Sequence, residues 1–372
     1  MRVAITGYDL VSGLGELTST WSGLIEGRTA LAPLRFHDPA LLGVSHGYQI
    51  PDDGPEPRLR PSGWLSRCVL GAVQAAGIDP EARRIQVVVG TGLRELRALE
   101  RWAVDGSDLA LSDLHFRRAV RSVLPNVSAV YTLANACSAS GHALAVGADI
   151  LAAGEADAVV VAGCDAMTDS MLAMIGRLAD EPTTALRPFD SARQGVLLGE
   201  GAVAVVLQPE SAGTRPLTRL LSTGLTCDAF HETGPDRRGI VAAMRDAHAR
   251  AGVTPADIGL VLAHGTGTAL NDPTEASALT EVFGNQSPLV TGIKGAIGHT
   301  SGAAAAMSLV VAVEALRHGR VPAIAGLTDP IPEAAGLRLV HGEAAPCENG
   351  RAQINSFGFG GVNAVSVVEV AA

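Results

Sequence analysis

The sequence predicts an α/β layered fold, and two observations carry that prediction. Short β-branched runs alternate along the chain with Ala-rich stretches of helical length, the pattern of sheets and helices packed layer on layer. Several of the β-branched runs are apolar at every position, as strands covered on both faces must be.

Taken in order, RVAIT (2–6) reads as a strand entering a glycine turn. IQVVVGTG (85–92) reads as a buried strand, HALAVGADILAAG (142–154) as a helix, and DAVVVAG (157–163) and GAVAVVLQ (201–208) as further buried strands. A second strand entering a glycine turn, LLSTGL (220–225), echoes the first. After it come a helix, GIVAAMRDAHARAG (239–252), a strand, DIGLVLAHG (257–265), and a helix, PTEASALTEVFG (273–284). A strand, PLVTGI (288–293), a helix, AAAAMSLVVAVEALRHG (303–319), and a strand, VSVVEV (365–370), complete the series. The helices close on glycine, which reaches the left-handed conformation that ends a helix. Residues 36–66, with HDPA, PDDGPEPR and a proline-rich exit, read as surface loop.

With 372 residues, 47% of them hydrophobic and 18% charged, the chain can bury a large core as one large domain or two coupled ones. Its net charge of −10 argues against nucleic acid or an anionic membrane as a partner of the whole surface. An acidic partner would need a local basic patch. Two are present in sequence: Arg58, Arg60 and Arg67, and Arg117, Arg118 and Arg121. The cysteines, Cys68, Cys137, Cys164, Cys227 and Cys347, are odd in number and lack a CxxC pair, so they form neither a disulfide framework nor a metal site. No apolar run has the length of a signal peptide or a membrane span, and a reducing cytoplasm fits.

Three segments carry chemistry. In YTLANACSASGHALAVGADIL (131–151) a strand runs into Cys137 and a helix follows at once. That places the thiol near a helix N-terminus, where the dipole and free N–H groups favour a thiolate. In GLVLAHGTGTALNDPTE (259–275) a buried strand ends at His264, and Thr266 and Thr268 follow with hydroxyls for a polar ligand. In GIKGAIGHTSGAAAAMSL (292–309) stand His299 and Lys294, the chain's lone lysine; every other of its 28 basic residues is arginine. A compact ammonium fits where a planar guanidinium does not. A nucleophile, two imidazoles and a cation suffice for carbon–carbon bond formation on a thioester, with backbone N–H groups holding the oxyanion.

These residues resemble the β-ketoacyl synthase family of condensing enzymes. NACSASGHA, RPFDSARQGVLLGEGAVAVVL (187–207), AHGTGT, KGAIGH and NSFGFGGVNA (355–364) match its segments in order, along nearly the whole chain. The resemblance implies the thiolase-like fold: two similar α/β halves, residues 1–210 and 211–372, in a five-layer αβαβα sandwich. It implies Cys137 as acyl acceptor, His264 and His299 as the decarboxylation pair, and Lys294 orienting the His299 region while paired with Asp272 or Glu275. The N–H groups of Cys137 and Phe359 would form the oxyanion hole. Phe357, Phe359 and Gly360 fall on the family's gating loop, and with Thr266 and Thr268 would bind substrate. No metal or other cofactor is implied. Implied partners are an acyl-carrier protein, docking near Arg58 and Arg60, or coenzyme A, and a second subunit: a homodimer, or a heterodimer with a ketosynthase-like chain.

Two departures stand out. The segment between VVVGTG (87–92) and Cys137 is short for the family, and Ser308 stands where the family often carries a glutamate nine residues after the histidine. The reading that follows is decarboxylative condensation. A non-elongating acyltransferase using Cys137 and a non-catalytic scaffold subunit are the alternatives.

Overall fold

The computed structural model describes residues 2–371 apart from 53, 178–181, 212–213 and 348. Its principal strands are β1 (Val3–Ser12), β2 (Ile85–Gly90), β3 (Ala129–Leu133), β4 (Ala158–Asp165), β5 (Gly201–Pro209), β6 (Thr218–Cys227), β7 (Leu260–Leu262), β8 (Leu289–Thr291), β9 (Arg338–Leu339), β10 (Arg351–Gly358) and β11 (Val362–Val370). The principal helices are α1 (Arg60–Ala75), α2 (Arg117–Val123), α3 (Ala139–Ala152), α4 (Arg237–Ala251), α5 (Asn271–Phe283) and α6 (Ala304–His318).

The strands form one 12-stranded sheet in the order β9-β8-β7-β10-β11-β6-β1-β5-β4-β2-β3, with the short strand Gly15–Glu16 paired to β1 off this path. Read outward from the β1–β6 junction, the two sides repeat. On one side β1, β5 and β4 are antiparallel neighbours, and β2 and β3 follow in parallel. On the other, β6, β11 and β10 are antiparallel, and β7 and β8 follow in parallel. The glycine-turn echo between the opening strand and LLSTGL is thus the first strand of each repeat.

Packing follows from the side-chain period of two. Val87, Val89, Val160, Ala162, Ala204 and Val206 face α1 and α2 in one outer core. Their neighbours Val88, Val159, Val161, Val203 and Val205 face inward with Leu144 of α3 and Val310 of α6. The same inner core takes Leu260, Leu262 and Ile354, while Val261, Val365 and Val367 face Met244 and Leu279 in the second outer core. Each central helix, α3 and α6, touches strands from both sides of the repeat. The layers therefore run helix, sheet, helix, sheet, helix. Strands buried on both faces explain why these runs read as apolar throughout.

Residues 36–66 depart from the surface-loop expectation. Their last seven residues are the first two turns of α1, and Pro61 sits in its first turn, where no backbone N–H is needed. The glycine-rich NSFGFGGVNA segment is likewise no simple loop, but the end of β10, a turn, and the start of β11. Among the described residues no helix is long and apolar enough to cross a membrane.

Candidate active site

Both central helices begin the same way. A 3₁₀ turn, Ala136–Ser138, leads into α3, and another, Ser301–Ala303, leads into α6. The first residue of each turn is left-handed, Ala136 at φ 55° and Ser301 at φ 47°. A residue with a Cβ pays roughly 1–2 kcal/mol for that conformation, so the surroundings must hold it. At the Ser301 turn they do so through Asp165 at the end of β4. Its carboxylate accepts from the Thr91 hydroxyl (2.7 Å) and from the N–H groups of Gly92 (2.8 Å), Leu93 (2.7 Å) and Gly302 (2.7 Å). Gly302, one residue past the left-handed position, matches Cys137 in the other turn. A Cβ there would meet the Thr91 backbone at 2.3 Å. The helices are tied where they start, the Ala306 N–H donating to Ser140 Oγ at 3.0 Å.

Cys137 is therefore presented at the top of the central layer, partly open to solvent. The Ser356 hydroxyl on β10 donates to the Cys137 carbonyl at 2.9 Å. The N–H groups of Phe359 and of Cys137 itself point at the thiol. The expectation of a lowered thiol pKa is corrected: burial pushes it up to about 11, and the charge of Asp165 adds to that rise. The Lys294 ammonium and the two N–H groups pull the other way without overcoming burial. These donors face the place where negative charge develops when the sulfur reacts.

His264 follows β7, and two carboxylates from the first turns of α5 hold its loop. Glu275 accepts from the N–H groups of His264 and Gly265, both at 2.8 Å. Asp272 accepts from Thr266 (3.0 Å), Gly267 (3.1 Å) and Phe189 (2.7 Å). Gly265 and Gly267 are left-handed, at φ 43° and 70°, which is what lets successive N–H groups converge on the acids. The Thr266 and Thr268 hydroxyls bond each other at 2.9 Å. Burial raises Asp272 to about 6.

Lys294 is buried, its ammonium 3.3 Å from His264 Nδ1 and donating also to the His264 carbonyl. This corrects two expectations. Lys294 orients His264 and not the His299 region. It also makes no ion pair with Asp272 or Glu275 among the described residues, because those acids are occupied by backbone N–H groups. They still act through space. Burial lowers Lys294 to about 8, against the pull of Glu275, Cys137 and Asp272.

The His299 ring stands at 85° to that of His264, with 5.4 Å between centroids, and Phe357 packs on His264 at 5.6 Å. Burial first, and then the Lys294 charge, hold both imidazoles well below the usual histidine pKa. Both are neutral at pH 7. A neutral His264 that accepts from Lys294 at Nδ1 carries its proton on Nε2, so it presents a hydrogen-bond donor. His299 Nδ1 is buried with no partner among the described residues. Phe359 is exposed, and the Gly360 N–H beside it donates to the Glu232 carbonyl at 2.8 Å. Ser308 is buried on α6.

The site depends on residues the sequence reading passed over. Asp165 was visible as the acid closing the apolar run AVVVAGCD (158–165), where a buried charge must have a structural task. Asn355 donates to Glu275 at 3.0 Å and accepts from Gln353 at 2.8 Å, and Gln353 in turn bonds His248 at 2.6 Å.

Arg60 does not offer a docking surface. Its guanidinium is buried, paired with both oxygens of Glu200 at 2.6 and 2.7 Å and with Asp52 at 2.9 Å, and lies over the Trp64 ring. Arg58 is tied to Asp113 at 3.2 Å.

Comparison with known proteins places this architecture. Residues 62–212 match the family model described as the β-ketoacyl synthase N-terminal domain, and residues 217–328 the one described as its C-terminal domain. The chain is 32% identical to nodulation protein E of Rhizobium meliloti, covering 98% of each chain. It is 28% identical to 3-oxoacyl-[acyl-carrier-protein] synthase 2 of Coxiella burnetii, covering 99% of this chain and 98% of that one. Among solved structures, the ishigamide ketosynthase/chain length factor superposes with a TM-score of 0.90 at 29% identity, over 100% of this chain and 99% of that one.

Proposed function

This chain belongs to the β-ketoacyl synthase family, and from that premise we propose that it is a condensing acyltransferase of polyketide or fatty-acid synthesis that elongates an acyl thioester with a malonyl-type thioester on acyl-carrier protein. The observation that carries the proposal is the convergence on Cys137. The thiol faces two N–H donors and a buried cation, next to two imidazoles held neutral.

In the reaction, Cys137 sulfur attacks the acyl carbonyl, the N–H groups of Cys137 and Phe359 hold the oxyanion, and the carrier thiol departs with the proton. The malonyl thioester then loses CO2, leaving an enolate whose oxygen accepts from His264 Nε2–H and from His299. The enolate carbon attacks the acyl-enzyme carbonyl. The C–S bond to Cys137 breaks, a β-ketoacyl thioester leaves, and the thiolate takes up a proton. Phe357, packed on His264, shapes the pocket. Thr266, Thr268 and the Phe359–Gly360 turn are proposed to contact the thioester arm.

The same reading treats residues 1–210 and 211–372 as the two halves, places the protein in the cytoplasm, and pairs it with a second subunit. The open edge strand β3 supports pairing. A relative named ketosynthase/chain length factor leaves the choice between a copy and an unlike chain to the molecule itself.

Intact-protein mass spectrometry of wild type and Cys137→Ala tests the proposal, with an acyl thioester and then malonyl-carrier protein. Wild type alone is expected to gain the acyl mass, lose it on malonyl addition, and release a product two carbons longer. Acylation without elongation would make it the non-elongating acyltransferase. No acylation with any chain would make it the scaffold.

A further inference from the structure

A line of buried polar side chains runs through the second outer core, a place otherwise filled by residues such as Met244, Leu279, Val365 and Val367. His248, in the last turn of α4, bonds Gln353 on β10 through Nε2 at 2.6 Å. Gln353 donates to Asn355 Oδ1 at 2.8 Å, and Asn355 donates to Glu275 on α5 at 3.0 Å. All four are buried, His248 at 5% exposure and the others at 2% or less. Gln353 and Asn355 stand two apart on one strand, so they share a face with Phe357, which packs on the His264 ring. Helix α5 sets both ends of the line. Glu275 terminates it, and Phe283, the last residue of α5, stands edge-on to the His248 ring with 5.8 Å between centroids. Apolar residues would fill this core at lower cost, because each buried polar group must give up its water.

The carboxylate fixes the direction of the line. Glu275 Oε1 accepts from the His264 N–H (2.8 Å) and from Asn355, and Oε2 accepts from the Gly265 N–H (2.8 Å) and from Asn271 (3.4 Å). Taken by four donors, it acts only as an acceptor. Asn355 must therefore present its NH2 to Glu275 and its oxygen to Gln353. Gln353 in turn must present its NH2 to Asn355 and its oxygen to His248. His248 must then carry its proton on Nε2, and burial, which lowers its pKa, keeps the ring neutral with that one proton. Every bond points the same way, toward the acid that holds the His264 and Gly265 N–H groups. We infer that His248 and Gln353 are positioning residues for His264: they lock the Asn355 carboxamide, and through it Glu275 and the His264 loop, in the orientation that decarboxylation needs. The inference rests on the condensing reading and adds to it a residue outside the active site. Without the His248 donor the Gln353 oxygen is left bare, and its carboxamide is free to turn over. A turned Gln353 sets oxygen against oxygen at Asn355, and a turned Asn355 does the same at Glu275.

The test separates positioning from mere support. His248→Leu removes the donor, and His248→Gln keeps an N–H near the place of Nε2. Single-turnover acyl loading of Cys137 and CO2 release from malonyl-carrier protein are followed in wild type and both variants, with circular dichroism checking the fold. His248→Leu is expected to slow CO2 release by at least about tenfold and up to roughly 10²-fold, the effect of a small misplacement of a reacting group, while acyl loading stays close to wild type. His248→Gln is expected to restore most of the rate. A leucine variant that loses both steps equally, or neither, overturns the inference, and so does a folded glutamine variant no faster than the leucine one. Should His248→Leu misfold, Gln353→Met cuts the same line with a side chain of similar length and is expected to show the same split; equal loss of both steps, or loss of neither, counts against the inference. Nitrogen-15 NMR of histidine-labelled wild type, assigned with His248→Gln, reads the tautomer directly. Nε2–H is expected at His248, and Nδ1–H would contradict the direction of the line. A wild type that loads Cys137 but releases no CO2 fails the condensing reading and this role with it, whereas normal condensation beside an unaffected His248→Leu overturns the inference alone.

Discussion

The ammonium of Lys294 lies 3.3 Å from Nδ1 of His264 and also donates to the carbonyl oxygen of the same residue. One cation therefore fixes both the backbone and the tautomer of one imidazole. This accounts for a lone lysine in a chain otherwise committed to arginine. A guanidinium is a bulkier, planar fork and does not present the same compact charge to a ring nitrogen and a carbonyl oxygen of one residue.

Removing that cation should separate the half-reactions. Lys294→Ala is expected to slow decarboxylation roughly 10²–10³-fold, the usual effect of losing one preorganised electrostatic contact. Acyl transfer to Cys137 should fall by less. Lys294→Arg should fail to restore the rate. Single-turnover measurements of acyl loading and of CO2 release distinguish this from general misfolding, which would lower both equally.

The thiol titration has a defined sign. Cys137 is held up to about 11, with Asp165 raising it and Lys294 lowering it. Alkylation by iodoacetamide across pH should give a midpoint well above that of a free cysteine. Asp165→Asn should move it lower. Because the folded thiol keeps its proton at a pH where the unfolded one releases it, this group favours folding less as pH rises from about 9 towards 11. Cys137→Ala should lose that alkaline decline in thermal stability.

Asp165 accepts four hydrogen bonds in a buried place. Asp165→Asn retains one oxygen and turns the other into a donor facing N–H groups. A loss of roughly 2–4 kcal/mol is expected from denaturant unfolding. Gly302→Ala should be similarly costly, since its Cβ would meet the Thr91 backbone at 2.3 Å. Ala136→Gly should be neutral or stabilising by up to about 1 kcal/mol, because it relieves a left-handed alanine.

Arg60 and Glu200 form a buried pair, so removing either partner leaves an uncompensated charge. Arg60→Ala is expected to cost roughly 3–5 kcal/mol while leaving carrier-protein affinity unchanged in any folded fraction. A surface-docking role would show the reverse, an intact melting temperature with weakened binding.

The sequence reading reached the layers through local signals. Runs such as DAVVVAG and DIGLVLAHG could only be strands buried on both faces, and the turn chemistry around Cys137 and His264 marked where those strands end. What escaped it was set by contacts distant in sequence. Arg60 looked like a surface arginine because Glu200, its partner, lies 140 residues away. Lys294 was matched to the acids because its actual partner is a neutral ring and a carbonyl, which carry no charge to read. The helix-terminus argument for a reactive thiol omitted burial, which only the packed structure supplies and which here outweighs the Lys294 charge and the two N–H groups. The α1 helix was missed because a proline-rich entry reads as loop until the helix beyond it is seen to pack.

The most direct measurement follows the carbon that is lost. Acyl-loaded enzyme would be given malonyl-carrier protein labelled at the free carboxylate, with labelled CO2 and elongated product counted together. One labelled CO2 per β-ketoacyl product, and neither with Cys137→Ala, is the predicted result. Discharge of the acyl group from Cys137 without labelled CO2 would contradict the account.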